Sequence, residues 1–266
     1  MKKKLLSIMM IAVMLMSVFA LTGCGGDSEE AAEDLAYVQD KGTLIVGITD
    51  FAPMDYKDDN GNWIGFDADM AAGFAEYIGC DVEFVEIDWD SKQLELENKS
   101  IDCVWNGMTL TNEVTQSMET SNAYCQNAQV VVVKKDVMDK YKAKEDCGDL
   151  VFAVEAGSAG AEAVSAEEWE SVEVSTQSAA LLEVQAGTAD AAVIDLLMAG
   201  AMVGDGTSFA DLGYTVSLTT EEYGVGFRKG SDLAAKLNEY FKSIYDSGEM
   251  KTIAEKYGTQ ESIIEQ

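Results

Sequence analysis

Apolar runs with no polar alternation recur along this chain, most clearly TLIVGI at Thr43–Ile48 and AQVVVVKK at Ala128–Lys135, and they constrain the fold more than any other feature. Such a run reads as a strand covered on both faces, which is the habit of parallel sheets flanked by crossover helices. From Gly65 the period changes: Phe66, Met70 and Phe74 fall at i, i+4 and i+8, with Ala71 and Ile78 beside them and Gly79 at the end. That pattern predicts an amphipathic helix closed by a glycine. Val82–Ile87 then reads as a strand, Asp90 as the cap of a helix through Leu94 and Leu96, and Ile101–Asn106 as a further strand. After Ala128–Lys135 the rhythm restarts. Leu150–Val154 and Val172–Val174 read as strands, Ala159–Val164 as the start of a helix, and LLEVQAGTADAAVID as helix, turn and strand. Two successive βα series joined by a strand predict an α/β chain of two similar lobes. Tyr223–Arg228 reads as a strand crossing back and Leu233–Tyr245 as a helix packing on the first lobe, so two crossing strands would form a hinge. The expected boundaries are 35–130 with 224–266 for the first lobe and 131–223 for the second.

Lys2, Lys3 and Lys4 precede an almost uninterrupted apolar run from Leu5 to Leu21. This reads as an export signal, with an uncleaved membrane anchor as the alternative. Leu21, Thr22, Gly23 and Cys24 look like a bacterial lipobox, so cleavage before Cys24 and lipid on its sulfur are expected, with 1–23 as the signal. The stretch GGDSEEAAED that follows is small, acidic and without apolar periodicity, and reads as a tether over 24–34. Acyl chains contributing about 0.8 kcal/mol per buried CH₂ would hold the protein at a membrane surface, outside the cytoplasm.

The formal charge is −30, and removal of the three signal lysines takes it to −33. Such a surface repels nucleic acid and acidic lipid, and favours cationic or zwitterionic solutes if it selects any. The chain has no histidine, and Arg228 is its only arginine. That excludes Ser-His-Asp and Cys-His pairs, disfavours a zinc site, and leaves no cofactor or metal expected. Cys80, Cys103, Cys125 and Cys147 lack CxxC spacing; an exported chain can pair them, but Cys103 within an apolar strand reads as a small buried thiol. Asp58, Asp59, Asn60 and Gly61 between Tyr56 and Trp63 read as a hairpin tip, since the EF-hand spacing is absent.

In open α/β sheets ligands bind beyond the carboxyl ends of strands. The strand Ile101–Asn106 stops at Gly107, with Met108, Thr109 and Thr111 lining its exit, a place that supplies approachable backbone N–H groups and hydroxyls. An ordinary loop is the alternative. Here WNGMTLT at Trp105–Thr111, GFDADM at Gly65–Met70 and YGVGFRKGSDL at Tyr223–Leu233 resemble the solute-binding proteins of polar amino-acid ABC importers, family 3. The resemblance spans nearly all of the chain after Cys24. It implies a two-lobed, periplasmic-binding-protein-like fold of type II and a passive receptor, by expectation monomeric, that hands a small amino-acid-like solute to permease subunits.

The resemblance also implies site residues. Asp50 and Phe51 stand at the end of the first strand, and Phe51 would be one aromatic wall, or alternatively a core ring anchoring the loop. Trp89 would be the second wall. Gly107, Met108 and Thr109 would line the solute. Ser158 and Ala159, in a glycine-flanked loop opening a helix, would help hold an α-carboxylate through free N–H groups. Asp195, ending the strand AAVI, would take the α-ammonium, with a simple N-cap as the alternative. Asp67 and Asp69 are assigned to capping and hinge contacts, because the helix dipole favours acids there. The family's motif T-x-T-x-x-R ends in an arginine that forks onto the carboxylate, whereas here Thr109 and Thr111 lead to Val114. Arg228 lies on the return strand and is not expected in the cleft. Lys92, on the face of its helix that carries Leu96, is proposed to take over part of the arginine's role, with snorkelling to solvent as the alternative. Two other functions compete. A dehydratase-type enzyme would rest on carboxylates such as Asp195 or Glu155, and a ligand-sensing domain would need a signalling module that does not follow.

Overall fold

The computed structural model describes residues 33–266, so the expected signal, Cys24 and most of the tether lie outside the described residues. In chain order come α1 (Asp34–Lys41), β1 (Thr43–Ile48), β2 (Tyr56–Lys57), β3 (Trp63–Ile64), α2 (Phe66–Tyr77), β4 (Asp81–Glu86), α3 (Lys92–Glu97), β5 (Cys103–Thr109) and α4 (Asn112–Ser117). β6 (Glu119–Thr120), β7 (Cys125–Asn127), β8 (Gln129–Lys134), β9 (Val151–Glu155), α5 (Ala159–Ala166), β10 (Glu170–Val174), α6 (Gln177–Ala186) and β11 (Ala191–Asp195) follow. The chain ends with α7 (Leu196–Met202), β12 (Leu212–Ser217), β13 (Glu221–Phe227), α8 (Leu233–Ser247) and α9 (Glu249–Tyr257).

Two sheets define two lobes. The first runs β4-β1-β5-β13-β6, with β7 also paired to β13, and the second runs β10-β9-β11-β8-β12. β1 is parallel to β4 and β5, and β9 is parallel to β10 and β11, while β13 and β8 are antiparallel insertions that let the chain change sheet. The apolar runs hold the interior, as their lack of alternation requires: Val130–Val133 of β8 and Ala191–Asp195 of β11 are all buried. α2 buries Phe66, Met70 and Phe74, and Phe74 meets Trp105 and Tyr240 at ring distances of 6.3 and 5.7 Å. Clusters of this kind add about 0.5–1.5 kcal/mol per pair beyond burial.

The strand expected at Ala128–Lys135 is present, unbroken, as β8 (Gln129–Lys134), but it lies wholly in the second sheet, so the crossing falls just before it. β7 stays in the first sheet, β8 belongs to the second, and Ala128 sits between them. The return passes from β12 to β13 beside it, where Leu218 N–H donates to the Gln129 carbonyl at 2.8 Å and Glu221 pairs with Asn127. The change of sheet thus falls at Ala128 and Thr219–Thr220, a few residues before the 130/131 and 223/224 boundaries read from sequence. Asp90 is also not a cap: Trp89–Ser91 forms a 3-10 turn ahead of α3, and no side chain caps either element.

Arg228 lies away from the strand ends that carry the candidate site. It bonds Asp34 at 3.0 Å, the Ile101 carbonyl at 2.9 Å and Asp102 at 3.5 Å, and Lys41 reaches the same Asp102 at 2.6 Å. This buried cluster pins α1 to the first sheet. Cys80, Cys103, Cys125 and Cys147 are all free thiols. Among the described residues, no helix is long and apolar enough to cross a membrane.

Candidate ligand-binding site

The carboxyl ends of β1, β5, β9 and β11 open onto one cleft of about 380 Å³ between the lobes. Each of these strands loses its apolar run at a polar residue there, Thr49, Asn106, Glu155 and Asp195, and all four line the cleft. The volume suits a small molecule.

On the first lobe, Thr49, Phe51, Gly107, Met108 and Thr109 line the cleft and Asp50 does not. Asp50 is exposed, beside Lys57 and Glu86, with its carboxyl pKa raised by partial burial and by Glu86. The reason is the alternation of an extended chain: Thr49 and Phe51 face inward, so the residue between them faces out. Phe51 is edge-on to Tyr223, at 6.4 Å and 80°. Gly107 has φ +54°, and a Cβ there would stand 2.5 Å from the Phe51 ring. Only glycine lets this strand end and that ring share the space. Asn106 accepts from Thr49 N and Oγ1 at 3.0 and 2.7 Å and donates to Thr49 O and Asp55.

Behind the wall lies a carboxyl that does not cap its helix. Asp67 makes no capping bond; it is fully buried and accepts from Gly107 N–H and Tyr124 O–H, each at 2.7 Å. Burial pushes its pKa up to about 7 against those hydrogen bonds. Asp69 bonds Lys256 and Tyr257 on the surface instead.

Trp89 is buried at the cleft, and Lys92 starts α3 beside it. The Lys92 ammonium lies 4.9 Å from the Trp89 ring centre and donates to Trp89 O at 3.2 Å and Gly157 O at 2.9 Å. Lys92 therefore turns into the cleft rather than snorkelling to solvent. Burial lowers its pKa, opposed by Glu113, Asp90, Glu155 and Glu162. Val114 also lines the cleft but packs with Trp89, Leu96, Ile101, Val104, Met108 and Met118, so an apolar floor stands where an arginine was the pattern.

On the second lobe, Ser158 caps α5 by accepting from Ala161 N–H at 3.1 Å, and Ser158 and Ala159 both line the cleft. Asp195 precedes α7 but makes no cap bond. Its Oδ1 accepts from Asn127, from Gln129 at 3.1 Å and from Tyr223 O–H at 2.7 Å, and its Oδ2 accepts from Gln177. Burial and the neighbouring Glu221 push its pKa up to about 7, opposed by these donors. Glu221, at the return crossing, accepts from Thr109, Asn127, Gln129 and Thr219, so a carboxylate of one lobe and a carboxylate of the hinge share amide donors.

Thr49, Asn106, Gln177 and Glu155 also line the cleft and are not among the binding residues expected from sequence. Glu155 enters the sequence reading only as a carboxylate for the competing enzyme; it lines the cleft and is 3% exposed. Its signal was in hand: like Asp195, it ends an apolar run.

Two α/β lobes, two adjacent crossings and a cleft at the strand ends define a solute-binding protein. The model of the bacterial extracellular solute-binding proteins, family 3, matches residues 44–260, and the chain belongs to that family. The chain is 30% identical over 262 residues to the probable histidine-binding protein of Neisseria gonorrhoeae, covering 94% of this chain and 95% of that one. A substrate-binding protein of an ABC uptake transporter from Streptococcus pneumoniae, solved with bound histidine, superposes with TM-score 0.76 at 30% identity over 85% of this chain and 96% of that one. The ancestral amino-acid-binding protein AncCDT-1, a precursor of cyclohexadienyl dehydratase, superposes with TM-score 0.77 at 31% identity, over 84% and 98%.

Proposed function

We propose that this protein is the lipid-anchored receptor of an ABC importer, closing on a small amino-acid-like solute and presenting it to the permease without transforming it. The observation that carries this reading is the convergence of Phe51, Trp89, Lys92, Ser158 and Asp195 on one cleft between lobes joined by paired crossings. Aromatic walls supply apolar area of fixed shape, Asp195 supplies a negative group for an ammonium, and Lys92 with the open end of α5 supplies positive potential for an acid. Relatives that bind histidine and arginine support the amino-acid class. Lipid at Cys24 would keep the receptor beside its permease, and the acidic surface favours a monomer that diffuses freely in the membrane plane.

The test is a melting panel of the twenty amino acids and common amines. A solute at 100 times its dissociation constant stabilises by about 2.7 kcal/mol, which moves the midpoint by several degrees. Absence of any shift across amino acids would sink the reading. Turnover of a bound solute would move the protein into the dehydratase class.

A further inference from the structure

The two acids that end neighbouring strands of the second lobe are served very differently. β9 and β11 are parallel with Ala153 opposite Ala192, which brings Glu155 level with Ile194 and one residue from Asp195. Both side chains line the same cleft beyond the strand ends. Asp195 has three donors on one oxygen and one on the other. A carboxylate offers about four lone-pair sites, so its hydrogen bonding is nearly complete within the protein. Glu155 lines the cleft, 3% exposed, and its Oε1 is buried with no hydrogen-bond partner. Burying such an acceptor is costly unless something arrives to bond it.

The charged groups around it set what that partner must be. Asp90, Glu113, Glu155, Glu162, Glu173 and Asp195 line the cleft, and Lys92 is the only cation among the described lining residues. Lys92 already gives hydrogen bonds to two carbonyl oxygens on the Trp89–Gly157 side, and its remaining N–H is the one assigned to the solute's acid, so it is not free to pair with Glu155. One ammonium on a solute can satisfy the remaining site of Asp195. It leaves Glu155 Oε1 without a partner.

We propose that Glu155 is a ligand-contacting, specificity-determining residue that receives a second positively charged nitrogen, so that the solute carries a net positive charge. The solute class is an amino acid or amine with an ammonium plus a further ammonium, guanidinium or imidazolium group. This rests on the reading of the cleft as an amino-acid site. The groups facing Glu155 are Asp195 on β11, Gln177 at the start of α6 and Lys92 on α3; burial and Asp195 push its pKa up to about 8, while Gln177 and Lys92 oppose them. At neutral pH the free receptor therefore holds a proton on Glu155, and a cation bonded to Oε1 expels it. A zwitterion leaves that proton in place.

Titration calorimetry of the purified protein with arginine and with citrulline, its uncharged isostere, tests this. Runs at pH 7 in buffers of different ionisation enthalpy read protons released. Asp195 contributes equally for both solutes, so the difference between them isolates Glu155. The expected result is release of close to one more proton with arginine than with citrulline, at least tenfold tighter binding of arginine, and near-tenfold tightening of arginine per pH unit between 6 and 7.5. Glu155→Gln should abolish the difference in proton release and most of the discrimination. Equal affinity and equal proton release for arginine and citrulline in the parent protein would overturn the role of Glu155 while leaving an amino-acid receptor. The parent comparison needs no variant, so a misfolded Glu155→Gln leaves the test intact. Binding of neither solute, nor of lysine, histidine or glutamine, would overturn the amino-acid reading itself.

Discussion

The Lys92 ammonium donates to the Gly157 carbonyl at 2.9 Å, so a side chain on a helix of the first lobe is bonded to a loop of the second. The same ammonium lies over the Trp89 ring and has one N–H left to give. Lys92→Met should weaken binding of an acid-bearing solute by about 1–3 kcal/mol, the scale of a charge-assisted hydrogen bond. Lys142→Met removes only an exposed pair with Asp139 and should change binding by almost nothing. Calorimetry with the solute found in the melting panel decides it, and equal affinities for both variants would remove Lys92 from the site.

Asp195 and Asp69 give a second contrast between acids. Asp195 lines the cleft, whereas Asp69 is tied to Lys256 and Tyr257 on the outer surface of the first lobe. Asp195→Ala should therefore lower affinity by at least tenfold, and Asp69→Ala by less than twofold. Equal losses in calorimetry would contradict the ammonium site.

Gly107→Ala separates backbone strain from crowding. The left-handed φ costs about 1–2 kcal/mol for a residue with a Cβ, and here that Cβ also drives into the Phe51 ring. Gly230 has φ +76° with nothing within 4 Å of an added Cβ, so Gly230→Ala bears the strain alone. Denaturant melts should show the larger loss at Gly107, and only that variant should lose solute affinity.

How far the sequence carried the site is visible in these residues. Strand ends were legible because apolar runs break at polar residues, which located Gly107 and Asp195, and the restarting βα rhythm gave the two lobes. The facing of Asp50 was not legible, since an extended loop alternates and one residue decides inside from outside. Nor was the saturation of Asp195. Its donors come from Asn127, Gln129, Gln177 and Tyr223, which are brought together by the paired crossings and by the start of a distant helix. Asp67 was misjudged for a related reason: dipole arguments place acids in a first turn but do not see Gly107 and Tyr124 above it.

Raising the pH should destabilise the ligand-free protein. Glu155 keeps its proton up to about pH 8 in the fold but would lose it near 4.5 when unfolded, and Asp67 and Asp195 hold theirs to about 7 against 3.8. Between those values the folded state binds more protons, so stability present below the unfolded pKa is lost as pH rises through the folded one. Melts from pH 5.5 to 8.5 should fall, with Glu155 contributing on the order of 1–3 kcal/mol. Glu155→Gln should flatten the slope, and an unchanged slope would contradict a buried, protonated Glu155.

The lipid anchor proposed at Cys24 predicts that Cys24→Ser moves the protein from the membrane to the soluble fraction of expressing cells. Equal membrane retention of both forms would mean that the apolar run from Leu5 to Leu21 is an uncleaved anchor.

The antiparallel pairing of β5 with β13 joins Met108 to Gly224 across the whole second lobe. Every strand of the second sheet lies in one continuous stretch, from Gln129 to Ser217, and needs nothing from outside it to pair. Closing the first sheet instead requires a contact of very long sequence separation, which is slow to form. During folding the second lobe can therefore mature early, while β5 waits with a bare edge able to pair with another chain. The paired crossings that join the lobes also make the first lobe the one whose sheet closes last.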